Sequence, residues 1–130
     1  MSVFSEQMLM TGNHVPVYSY ANPHLHSFCL CLYLRAGSLY ETDEKNGISH
    51  FFEHIVFKNI NHKYHGELYR ILDRLGLEFN GCTYKEFMQF VITGATDHFN
   101  EAAEILTAIF EPFVLPSADI ATERRRVKSE

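Results

Sequence analysis

Gly47-Ile48-Ser49-His50-Phe51-Phe52-Glu53-His54-Ile55-Val56-Phe57-Lys58 is the stretch from which the rest of the chain can be read. Ile48, Phe51, Phe52, Ile55 and Val56 recur at helical spacing, so Gly47 to Lys58 is expected to form an amphipathic helix with these residues in the core. On that helix His50 and His54 stand at i and i+4 and project from one face. Two neutral imidazoles so placed can bind one zinc ion at about 2.0–2.1 Å each. Glu53 sits at the edge of the same face, near enough to act on a metal-bound water without being a ligand. A catalytic zinc usually has three protein ligands and an open position, so a third donor is needed.

The last segment offers two carboxylates. Glu123 and Glu130 are seven residues apart, two helical turns, and would share a face. One could bind the metal while the other hydrogen-bonds a ligand histidine. The plainer reading is two exposed glutamates on a charged helix.

Outward from the motif, Ser2 to Leu9 and His14 to Tyr20 read as short strands around the turn signal Thr11-Gly12-Asn13. Ser27 to Ala36 is so uniformly apolar that it reads as the central strand, and Gly37 to Asn46 as a polar loop. A second helix, His65 to Leu75, ends at Gly76 in the C′ position. Leu77 to Tyr84 and Glu86 to Gly94 alternate and read as an antiparallel pair. Asp97 is expected to cap a helix reaching about Phe113, and Ser117 or Asp119 a final one. Strands, helices, strands, helices in that order predict α+β: a mostly antiparallel sheet with helices packed on one face.

The 130 residues suit one domain with a hydrophobic core. A net charge of -5 argues against nucleic acid or an anionic membrane surface as partner. The basic run Arg124-Arg125-Arg126-Val127-Lys128 lies between Glu123 and Glu130 and reads as a solvated helix face. No stretch has the length of a membrane span, and the first ten residues lack the pattern of a targeting segment, so a cytoplasmic protein, or a piece of one, is expected. Cys29, Cys31 and Cys82 read as buried or idle thiols of a reducing compartment. His62 and His65 have no carboxylate in fixed register and read as surface residues; His14, His24, His26 and His98 receive no role.

His50-Phe51-Phe52-Glu53-His54 is the H-x-x-E-H order of the inverted zincins. With Glu130 following after seventy-five intervening residues, it resembles the family of pitrilysin, insulysin and mitochondrial processing peptidase, family M16. Arg35-Ala36-Gly37-Ser38 with Glu41, Gly47-Ile48-Ser49 and Phe57-Lys58 resemble the flanks of the family motif, and Glu123 falls seven before the ligand, as in the family. Asn80-Gly81 followed by Thr83 resembles the family's Asn-Ala segment on an edge strand, with Gly81 in place of the usual alanine. The resemblance implies that His50, His54 and Glu130 bind Zn2+, that Glu53 is the general base, and that Glu123 orients the site. It implies that Asn80 and Gly81 help hold an extended peptide substrate by strand addition; read locally, Asn80-Gly81 is equally a hairpin turn. The family's αβ unit is longer than this chain and faces a homologous second unit across a chamber. The sequence is therefore expected to be the N-terminal part of one catalytic unit, with a second half or partner subunit elsewhere. Two functions follow: a zinc metallopeptidase catalytic unit, or a non-catalytic peptide-binding or partner subunit of a split enzyme.

Overall fold

A computed structural model describes residues 5–130 and shows an α+β chain. The expected first strand begins at residues 2–4, which lie outside the described residues; the strand described is β1 (Ser5–Met10), paired antiparallel with β2 (Pro16–Ala21). The turn falls where Thr11-Gly12-Asn13 placed it: the Thr11 carbonyl accepts the His14 N–H, and the Thr11 hydroxyl accepts the Val15 N–H. Every residue of this hairpin's two strands is exposed.

The second sheet contains β3 (Ser27–Leu34), β4 (Glu78–Thr83) and β5 (Met88–Ala95), antiparallel and in the order β3-β5-β4. Ser27 to Ala36, expected as the central strand, is therefore an edge strand among the described residues, and β5 is central. The cause lies in the residue types. Phe28, Leu30, Leu32 and Leu34 pack on the core, whereas Cys29, Cys31 and Tyr33 alternate onto the outer face and are exposed. Cysteine and tyrosine count as apolar in a hydropathy reading yet tolerate water, so the run looked two-sided when it is one-sided. The three thiols, expected to be buried or idle, are exposed and free, with the Cys29 and Cys31 sulfurs 3.5 Å apart.

The inner face carries Phe79, Met88, Phe90 and Ile92, and α1 (Ile48–Lys63), α2 (Leu68–Leu75) and α3 (Phe99–Thr107) pack on that side, with α4 (Ser117–Val127) lying against α1. Val56 and Ile60 from α1, Leu68 and Leu72 from α2, and Ala102, Ile105 and Leu106 from α3 close the core over Phe90. Burying such side chains contributes about 1.5–3 kcal/mol each before chain entropy is charged. α1 runs five residues beyond Lys58, and its buried stripe is Ser49, Ile55, Val56, Asn59 and Ile60. Ile48, assigned to the core from periodicity, is 50% exposed because it occupies the first turn, ahead of the sheet contact.

α2 starts at Leu68, three residues later than expected, since His65 and Gly66 adopt positive φ. It ends as foreseen at Gly76, whose φ of 62° is the left-handed geometry that only glycine takes cheaply. The helix expected from Asp97 to Phe113 is shorter. Asp97 lies in a 3-10 turn and makes no cap bond, and α3 stops at Thr107. One more 3-10 turn follows before Pro112 forces Glu111 into an extended conformation. Neither Ser117 nor Asp119 caps α4; Pro116 precedes its first residue, and no side chain bonds its N-terminus. The segment leading into α4 is tied down by Asn59, whose buried Oδ1 accepts the Val114 N–H at 2.8 Å.

Candidate metal centre

The position of α1 is set from its N-terminus. Gly47 and Ser49 donate their backbone N–H groups to the two oxygens of Glu41, at 2.7 and 2.8 Å. These bonds hold the Glu41 carboxyl below the usual range, Ser49 more strongly than Gly47. A lowered folded-state pKa means that Glu41 stabilises the fold above the ordinary glutamate value and loses that contribution as pH falls through the lowered one. Glu41→Ala is expected to cost about 1 kcal/mol near neutral pH and progressively less as the wild-type carboxyl protonates at acid pH, read from urea unfolding across that range.

One turn in, His50 and His54 converge, with their Nε2 atoms 3.1 Å apart. α4 packs across α1 and adds Glu130, whose Oε2 lies 3.4 Å from His50 Nε2 and 3.5 Å from His54 Nε2. Glu130 follows the helix but stays attached to its last turn: its N–H reaches the Val127 carbonyl, and Ser129 N–H the Arg126 carbonyl. The three donors thus form a triangle with edges of 3.1 to 3.5 Å. Tetrahedral ligands at about 2.0–2.1 Å from zinc stand roughly 3.3 Å apart, so the triangle matches one face of such a tetrahedron. His50 and Glu130 are about two-fifths exposed, which leaves the fourth direction open.

His54 is anchored from behind. Its Nδ1–H donates to Glu123 Oε1 at 2.9 Å, which leaves the Nε2 lone pair facing the triangle. Glu123 is only 2% exposed and also bonds Lys58 at 3.1 Å, with Arg126 at 3.8 Å. Burial pushes its carboxyl up, but the bonds from His54 and Lys58 and the charges of Lys58 and Arg126 outweigh this, and the net shift is downward. Of the two glutamates on the last segment, then, one meets the triangle and the other supports a histidine; the plainer reading as two exposed residues fails for Glu123.

Glu53 points from α1 toward β4, where the Thr83 hydroxyl donates to its Oε2 at 2.5 Å. Sequence reading named Thr83 only as a neighbour of Asn80-Gly81; its signal was the period of two that puts Gly81 and Thr83 on one strand face. Gly81 lies against α1: a Cβ there would come within 2.7 Å of the Phe57 ring and 3.2 Å of Glu53 Cγ. Asn80 faces the other way, exposed, with its amide 3.4 Å from Glu78. Both residues are inside a strand, and the hairpin turn lies beyond them, where Tyr84 N–H bonds the Phe87 carbonyl. β4 pairs with β5 on one side and with no described strand on the other. A cleft of roughly 1040 Å³ opens beside Glu53 and His54, bordered by Phe57, Lys58, Tyr69 and Leu115. His62 and His65 also line it, exposed and away from the three convergent donors.

Residues 17–130 match the family model described as Insulinase (Peptidase family M16). The chain belongs to this family. Among M16 relatives, an uncharacterized zinc protease of Bacillus subtilis is 31% identical over 118 residues, covering 91% of this chain and 29% of that protein. The beta subunit of the human mitochondrial-processing peptidase is 31% identical over 93 residues, 72% of this chain and 19% of its own length. A protease from Helicobacter pylori has the same fold, with a TM-score of 0.82 at 21% identity over 95% of this chain and 30% of that one. The M16 chain described here thus spans less than a third of the relatives it matches.

Proposed function

We propose that this M16 chain carries the catalytic zinc centre of a metallopeptidase that hydrolyses extended peptides. The observation that carries the reading is the triangle of His50, His54 and Glu130 beside the Glu53 carboxylate. His50, His54 and Glu130 hold the metal; when bound, zinc supplies Lewis acidity to the scissile carbonyl and to the attacking water. Glu53 accepts a proton from that water and delivers it to the leaving amine. Glu123 keeps His54 in the ligating tautomer, and its buried carboxylate resists rotation of the ring. Asn80 and Gly81 lie on β4, whose outer side pairs with no strand among the described residues and where main-chain groups can pair with an extended substrate. The relatives' greater length supports a homologous second unit, in the same chain or a partner subunit, that completes the substrate chamber.

The test is zinc content with peptide hydrolysis. About one zinc per chain is expected, with cleavage of an unstructured peptide that a chelator stops and added zinc restores. A chain that stays metal-free in excess zinc would sink the reading. Activity that appears only with a homologous partner, and survives loss of zinc from this chain, would assign catalysis to the partner. Within the site, Glu123→Ala is expected to weaken zinc binding by about 10–100-fold without changing its stoichiometry at saturation, read by competition with a chelator of known affinity.

A further inference from the structure

Glu53 is a long side chain with three rotatable bonds, half-buried on α1, yet a general base must be held within a fraction of an ångström. Nothing on α1 itself is bonded to its carboxylate among the described residues; the bond comes from β4. From this we infer that Thr83 is a positioning residue for Glu53, fixing one carboxylate oxygen so that the other faces the metal triangle. The inference rests on Glu53 acting as the base.

Three observations carry it. The Thr83 hydroxyl has one proton, and it is directed to Glu53 Oε2, so this oxygen is engaged while Oε1 keeps its lone pairs for a water. The donor is stiff at both levels: threonine is restricted at χ1, and the Thr83 backbone is held in register opposite Met88, a core residue 1% exposed. The third is the clearance at Gly81, two residues earlier on the same face. With no Cβ there, the Glu53 methylenes rest directly against the strand and its carboxylate reaches Thr83; a methyl would press on both Glu53 Cγ and the Phe57 ring. Glu53 is thereby located by two elements, its backbone by the helix and its carboxylate by the sheet. A base displaced by about 1 Å can lose on the order of 100-fold in rate.

The experiment compares Thr83→Val, which keeps the shape and loses the hydroxyl, with Thr83→Ser, which keeps the hydroxyl. Zinc stoichiometry and the circular dichroism spectrum are expected to match wild type in both. In the zinc-loaded chain, 13C relaxation of the Glu53 γ-methylene should show a mobile side chain in Thr83→Val and an ordered one in wild type and Thr83→Ser. On a peptide substrate, kcat should fall about 10–100-fold in Thr83→Val with KM within twofold, and Thr83→Ser should recover most of it. A merely structural threonine would change stability but not divide kcat from KM in this way. Unchanged Glu53 order in Thr83→Val, or unchanged kcat, overturns the inference. A wild-type chain that binds zinc and cleaves nothing even when the second unit is supplied instead defeats the functional reading, and the relaxation measurement still decides whether Thr83 fixes the carboxylate.

Discussion

Glu53→Gln is expected to retain zinc at the wild-type stoichiometry and to lower peptide hydrolysis by about 10²–10⁴-fold, the range removed with a general acid-base group. Glutamine keeps the length of the side chain and can still accept the Thr83 hydroxyl, so the packing against Gly81 and Phe57 is preserved. What it lacks is a site that takes a proton and gives it up again near neutral pH. Because Glu53 is not a member of the His50–His54–Glu130 triangle, the metal should not notice the change. Zinc assay and steady-state kinetics on one preparation separate the two roles. Hydrolysis at the wild-type rate would move the base elsewhere, and loss of zinc would make Glu53 a ligand.

His54→Ala is expected to act on the metal first. It removes one of three donors, so zinc affinity should fall by well over the roughly 100-fold that bounds the loss of a supporting partner, and the chain should be purified essentially zinc-free. A second consequence follows from Glu123. With the imidazole gone, this 2% exposed carboxylate keeps only Lys58 at 3.1 Å and Arg126 at 3.8 Å. An unpaired hydrogen-bonding direction at a buried carboxylate costs roughly 1–3 kcal/mol, so the thermal midpoint should fall as well. His50→Ala provides the contrast: it loses the same metal but leaves the Glu123 network intact, so its apo stability should stay close to that of apo wild type. Equal apo stabilities for the two variants would show that the Glu123 contact with His54 carries no structural weight.

What was legible in the sequence follows from which interactions are local. The i, i+4 pair on α1, the Gly76 stop and the β4–β5 hairpin depend on neighbours within a few residues, and periodicity reports these directly. The α+β class followed from their order. The strand order did not, because an apolar run states how much a strand can bury and not how many neighbours it has; Cys29, Cys31 and Tyr33 made an edge strand read as a centre. The long helix expected through Pro112 failed because the stripe of α3 continues in its residues after the helical backbone has ended. At the site, Glu123 and Glu130 could be nominated by spacing, but their distances to α1 are set by tertiary packing across 69 and more residues. The bond from Thr83 to Glu53 spans 30 residues and joins a strand to a helix, and no local pattern encodes it.

The edge position of β3 bears on how this chain behaves in concentrated solution. Ser27–Leu34 is eight residues long, contains no charge, proline or glycine, and has one side open to pairing among the described residues. Such a segment has the composition of cross-β assemblies, and protein edges are normally blunted by charge, bulges or cover. Left uncovered, β3 offers its backbone to the β3 of another molecule. Pairing between molecules through β3, the edge opposite β4, should therefore be suppressed by Cys31→Lys, which places a charge on the exposed outer face and leaves His50, His54 and Glu130 untouched.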